Sequence, residues 1–148
     1  MHKKIRTKIQ SEIDSIKDLN SLKTTLLSTI KEFRGNQEKL GYVAGMIASD
    51  GRDKIWENIR ALDDFAEQLR KANSFPIFSA VDVFSEDVYG AINLESLPDA
   101  DFKIFWRDVL GSGYVTDIFM GPRWEDSEGA KDEHEFSKSA GILIHYSA

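Results

Sequence analysis

Leu40-Gly41-Tyr42-Val43-Ala44-Gly45 is a short apolar run ending in glycine, the pattern of a strand buried on both faces of a parallel sheet. A polar stretch follows, Ala48-Ser49-Asp50-Gly51-Arg52, and then Ile55, Ile59, Leu62, Phe65 and Leu69 recur on one face of a helix. Phe75-Pro76-Ile77-Phe78 reads as a second strand, its proline marking a start or an edge. Residues 80–98 have no clear period and read as a long loop over one end of the sheet. Phe102, Phe105, Trp106, Val109 and Leu110 mark another helix, stopped by Gly111-Ser112-Gly113. Residues 114–120 form a third strand, 121–126 a loop and 127–139 a helix ended by Gly141. Ile142-Leu143-Ile144-His145-Tyr146 is the last strand. This alternation predicts an α/β fold, a Rossmann-like parallel sheet flanked by helices. Ligands of such sheets sit beyond the carboxyl ends of the strands. The loop after Gly45, residues 80–98 and the loop after Met120 are therefore the places to look for chemistry.

Upstream of Leu40 the pattern is different. Ile5, Ile9, Ile13, Ile16, Leu19, Leu22, Leu26, Ile30 and Phe33 recur at steps of three and four, one long apolar stripe. Asn20-Ser21 is a candidate break, with Ser21 capping a second helix, and Arg34-Gly35-Asn36 is a helix stop. The chain thus divides into a helical extension, residues 1–37, and an α/β domain, residues 38–148. A stripe this long must be covered by the main domain or by another subunit. Packing and oligomerisation are the expected role of the extension, with a homodimer or larger homo-oligomer as the assembly.

Composition narrows the function. The chain has 148 residues, 41% hydrophobic and 30% charged, as one globular domain requires. With no cysteine, disulfides, thiolate metal sites and cysteine nucleophiles are excluded. No apolar run approaches the ~20 residues of a membrane span, and MHKKIRTKIQ lacks the apolar stretch of a signal peptide. A soluble, cytoplasmic protein with no membrane partner is the expectation. Residues 1–40 hold nine Lys/Arg against five Asp/Glu, whereas residues 41–148 hold ten against twenty. An acidic body argues against a nucleic-acid polymer as partner.

The richest stretch is Trp124-Glu125-Asp126-Ser127-Glu128-Gly129-Ala130-Lys131-Asp132-Glu133. Ser127 or Asp126 can cap the helix, Gly129 allows close approach to its first turn, and the free N–H groups there suit an anion. Taken alone, a serine cap followed by acids in a first turn is more often simply good capping. In Gly45-Met46-Ile47-Ala48-Ser49-Asp50-Gly51-Arg52, Gly51 and Arg52 can wrap a phosphate, though the spacing fits neither dinucleotide fingerprint nor P-loop. Gly111-Ser112-Gly113 lies between helix and strand, the wrong side for such a fingerprint. Asp108 follows Phe105-Trp106-Arg107, either desolvated by its aromatic neighbours or paired with Arg107. His134 and His145 have no companion at ligand spacing, so no metal site is expected.

Assembled, these stretches resemble the nucleoside 2-deoxyribosyltransferase superfamily, which includes the 2-deoxynucleoside 5-phosphate N-hydrolases and CMP hydrolases. The resemblance covers about residues 40–146. Tyr42-Val43-Ala44-Gly45 with Asp50-Gly51-Arg52 resembles the family's opening strand and its sugar- or phosphate-facing loop. Trp106-Arg107-Asp108, ahead of the strand Thr116-Asp117-Ile118-Phe119-Met120, resembles the segment carrying its aspartate. Ser127-Glu128-Gly129-Ala130-Lys131-Asp132-Glu133 is similar to its S-x-G-x-x-x-E signature.

That resemblance implies an enzyme acting on a nucleoside or nucleotide with no cofactor. Glu133 would attack the anomeric carbon, in the ionised form that a helix N-terminus favours. Asp108 would position the substrate and assist the leaving base. Serine at position 127, where the transferases have an acidic residue, implies a 5-monophosphate substrate, with Gly45, Ser49, Gly51, Arg52 and Gly129 completing the binding site. Hydrolysis to free base and sugar phosphate is the leading expectation. Base exchange between nucleosides and a non-catalytic nucleotide-binding or interaction module are the alternatives.

Overall fold

The computed structural model describes residues 3–13, 16, 18–35, 37–46, 52–84 and 99–146. Four parallel strands, β1 (Gly41–Ala44), β2 (Ile77–Ser79), β3 (Asp117–Met120) and β4 (Leu143–Tyr146), form one sheet in the order β2-β1-β3-β4. Gly41 stands level with Ile77 on one side and Asp117 on the other, so β1 is a central strand. The chain steps outward from β1 to β2, then returns past β1 to β3. The direction of winding therefore reverses between β1 and β3, the place where α/β sheets open a crevice.

Right-handed crossovers put the connecting helices on opposite faces when the winding reverses. Helix α3 (Ile55–Ala72) packs Ile55, Ile59, Leu62 and Ala66 against Val43, Ile77 and Phe119. The alternate residues of the same strands, Tyr42, Ala44, Phe78, Ile118 and Met120, join a second core with Phe105, Val109 and Ala130. These come from α5 (Asp99–Leu110) and α6 (Glu128–Ala140). The sequence reading placed these elements within a few residues. A further helix, α4 (Ala80–Val83), stands where a loop is expected: the Asp82 carboxylate accepts from Ser79 N at 2.9 Å and holds the start of one helical turn. The rest of the predicted loop, residues 85–98, lies outside the described residues.

The amino-terminal stripe folds as α1 (Lys3–Ile13) and α2 (Leu19–Arg34). The break comes before Asn20-Ser21. The Asp18 carboxylate caps α2 by accepting from Ser21 N at 2.8 Å, so Ser21 is the donor in this cap rather than the cap itself. Ile5, Ile9, Ile13, Leu22, Leu26 and Ile30 are fully buried in the same core as Tyr42 and Phe105. The chain itself covers its stripe. Helices α1 and α2 are a layer of that core, and the stripe supplies no argument for a second copy. No described helix is long and apolar enough to cross a membrane.

A buried charge network locks this layer in place. Arg70 on α3 donates Nε–H to the carbonyl of Ile77 at 2.9 Å and Nη1–H to Glu67 at 2.7 Å, and it pairs through Nη2 with Asp82 of α4. Asp82 also accepts from Ser79 N at 2.9 Å. Arg6 of α1 reaches across to Asp63 of α3 at 2.8 Å and lies 3.5 Å from Asp82. Burial pushes the Asp82 carboxyl up to about 6, against the pull of Arg70. Breaking such a pair strands a charge. Asp82→Ala should therefore cost about 3–5 kcal/mol in chemical denaturation, while Arg70→Met with Asp82→Leu costs less than that single change. A loss under ~1 kcal/mol for Asp82→Ala would show that the network does not anchor the fold.

Candidate active site

The site is built where α6 begins. Ser127 is its N-cap: it is buried, and its Oγ accepts from Ala130 N at 3.2 Å. Asp126, the other candidate cap, instead ends the short 3-10 turn Trp124–Asp126. Six residues past Ser127, Glu133 lies on the buried face of α6, where Tyr42 of β1 donates its hydroxyl to Oε1 in a short hydrogen bond. A Cβ at Gly129 would sit 3.7 Å from Glu133 Oε2, so the first turn of α6 lies directly against the carboxyl group. Alternation along β1 aims Tyr42 at the α5/α6 face. Trp106 of α5 and Phe78 of β2 flank its ring at 4.7 and 5.2 Å between centroids.

A carboxyl in this setting is not an ordinary one. Burial pushes Glu133 up to about 8, the charge of neighbouring Asp132 adds to the rise, and the Tyr42 hydrogen bond opposes it. Tyr42 itself is pushed well above its usual range by burial and by Glu133. The expectation that the helix terminus keeps Glu133 ionised is thus overturned. The dipole's influence fades within the first turn, Glu133 lies in the second, and desolvation is the larger effect.

The structure does not bring Asp108 to Glu133. It lies two residues beyond Trp106, roughly 200° around α5, on an exposed face where Lys23 of α2 holds it at 2.6 Å. Arg107 pairs not with Asp108 but with Asp132, Nε to Oδ2 at 3.0 Å plus a second bond to Oδ1, tying α5 to the residue beside Glu133. Gly45 is explained by packing, since a Cβ there would come within 2.6 Å of Leu62 Cδ1. Ser49 and Gly51 lie outside the described residues. Arg52 opens the 3-10 turn Arg52–Lys54 ahead of α3.

At the switch point a hollow of about 220 Å³ opens beyond the strand ends, lined by Met46, Lys54, Asn58, Leu62, Pro122 and Arg123. Among the described residues no three His, Asp or Glu side chains gather as a metal site. Tyr42 and Trp106 are the contributors that sequence reading passed over. The available signal was a tyrosine inside a buried strand, whose hydroxyl requires a partner. Comparison with protein-family models, curated proteins and solved structures finds no match for this chain.

Two measurements check the electrostatics. Tyr42→Phe removes the one interaction that favours the Glu133 carboxylate, so the carboxyl titration followed by carbon NMR should move above 8. A downward move contradicts the assignment. Glu133 in the unfolded chain titrates near 4.5, so its raised value in the fold erodes stability as pH climbs from about 4.5 through 8. Glu133→Gln should then stabilise the protein at pH 9 by up to a few kcal/mol and change little at pH 4.

Proposed function

We propose that the chain cleaves the N-glycosidic bond of a nucleotide, with hydrolysis of a nucleoside 5-monophosphate preferred over base transfer. The observation that carries this reading is the buried Glu133 carboxyl, held by Tyr42 and lying against the Ser127–Gly129 turn. A carboxylate there can attack the anomeric carbon of a sugar whose phosphate rests on the N-terminus of α6. The C1–N bond breaks as the C1–O bond to Glu133 forms, and the base leaves with the bonding electron pair. Water then cleaves the glycosyl ester: its O–H goes to C1, its other proton goes to the departed base, and the carboxylate is restored as sugar phosphate leaves. Serine at 127 brings no charge to repel the phosphate. Asp108, exposed and paired with Lys23, has no part in this scheme. The resemblance to the nucleoside 2-deoxyribosyltransferase superfamily supports the same reading through the Ser127, Gly129 and Glu133 spacing. Nucleotide turnover implies a cytoplasmic setting.

Because the attacking group must be ionised, base release should rise with pH through about 8, the opposite of what a general acid would give. Glu133→Ala and Glu133→Gln should each abolish release by orders of magnitude, read by chromatography of free base from a panel of nucleosides and their monophosphates. Ser127→Asp keeps a good helix cap and should shift preference toward unphosphorylated nucleosides. Wild-type rates in both Glu133 variants contradict the mechanism. Monophosphate binding without base release favours a nucleotide-binding module in which the Tyr42–Glu133 bond is structural.

A further inference from the structure

β4 is unlike the other strands. Every residue of β1, β2 and β3 is buried, whereas no residue of β4 is, and Leu143 and Tyr146 are 55% and 60% exposed. A strand in a parallel sheet is normally covered on both faces. β3 pairs with the inner side of β4 from Asp117 and Leu143 to Met120 and Tyr146, and among the described residues no strand pairs with its outer side. The cover from α3 also stops short. That helix packs on Val43, Ile77 and Phe119, and a groove of about 600 Å³ lies between its Phe65 and Leu69 and the His145 side chain.

The backbone decides what kind of partner fits here. Leu143 N–H donates to the Thr116 carbonyl at 3.0 Å, so it points into the sheet. Alternation turns the N–H and C=O of Ile144 the other way, outward in the plane of the sheet. An extended strand is what satisfies such an edge. Edges are ordinarily protected from pairing by charge or proline, yet Ile142-Leu143-Ile144-His145-Tyr146 holds no Asp, Glu, Lys, Arg or Pro. Two copies of this strand therefore approach with no carboxylate or ammonium set against its like.

We propose that β4 pairs antiparallel with β4 of a second copy of this chain, about a two-fold axis at Ile144 perpendicular to the sheet. The two Ile144 residues face each other and exchange both N–H···O=C bonds. His145, stacked on Phe119, marks the α3 side of the strand, and Tyr146, whose hydroxyl lies 2.7 Å from His134 Nε2, marks the α6 side. In this register Leu143 of each copy lies beside His145 of the other, at the wall of the groove. Tyr146 lies beside Ile142 of the other on the α6 side. One register thus covers both exposed apolar side chains, and a slip of one residue would set them against the wrong faces. Two four-stranded sheets become one of eight, with no part played by the Glu133 chemistry.

Sedimentation velocity of the full chain over a concentration series tests this, with melting followed by circular dichroism. The wild type should dimerise with Kd below about 100 μM. Ile144→Pro removes an N–H that points out of the sheet, a change an edge strand tolerates, so it should fold and stay monomeric. Leu143→Lys charges an exposed position and should weaken the dimer at least about tenfold with melting unchanged. Because the chain has no cysteine, single cysteines report the register. Leu143→Cys mixed with His145→Cys should cross-link under mild oxidation, since the two positions face each other about 4.5 Å apart at Cα. Leu143→Cys alone should not, because its copies lie on either side of the axis. A wild type still monomeric at about five times that Kd overturns the proposal and leaves the edge to a strand of another protein. So does a dimer that neither Ile144→Pro nor Leu143→Lys weakens, or a cross-link that Leu143→Cys forms alone as readily.

Discussion

One buried hydrogen bond, from the Tyr42 hydroxyl to the Glu133 carboxyl, organises the larger face of the sheet. Burying an ionisable carboxyl is costly unless its surroundings satisfy it. Here β1 provides the donor, α5 provides Trp106 against the donor's ring, and the Arg107–Asp132 pair fixes α6 relative to α5. The first turn of α6, open at Gly129, leaves the second carboxyl oxygen beside a helix N-terminus. Four segments distant in sequence thus converge on one acid. A carboxyl kept this dry is costly to ionise, and that cost can be recovered where positive charge develops beside it.

The opposite end of the molecule handles buried charge in another way. Arg70 and Asp82 are almost wholly enclosed, yet each has several partners, and Arg6 ties the amino-terminal helix to the same cluster. This network closes the β2 edge and seats α1 and α2 over the core. Edge β2 is short, proline-led and bonded to Arg70, whereas edge β4 carries Leu143 and Tyr146 largely in solvent. Among the described residues the sheet is guarded at one edge and open at the other.

The strand and helix alternation from Leu40 onward was legible because each element is a clean apolar run or helical stripe bounded by Gly, Pro or a polar cap. The extension was legible as helix but not in its role. A stripe at helical spacing says that something covers it, not whether the cover belongs to the same chain, and Leu22, Leu26 and Ile30 lie in the chain's own core. In the site, Ser127, Gly129 and Glu133 were readable because they sit on one helix at fixed spacing. The position of Asp108 was not legible because the face of α5 that meets the core is set by Trp106, and two further residues turn a side chain away from it. A tyrosine in a buried strand signals that its hydroxyl has a partner, but a partner 91 residues away is not named by local spacing. The acidity of Glu133 was misjudged for the same reason: desolvation is a property of the packed core, while the helix dipole can be read from spacing alone.

The central claim is that Glu133 forms a covalent bond to the sugar. Mass spectrometry of the intact protein, quenched by acid during turnover of a 2-fluoro-substituted nucleoside monophosphate, tests it most directly. The account predicts a mass gain equal to the fluorinated sugar phosphate, located by peptide mapping on Glu133 and absent in Glu133→Gln. Release of base with no adduct on Glu133, or with an adduct on another residue, would contradict it.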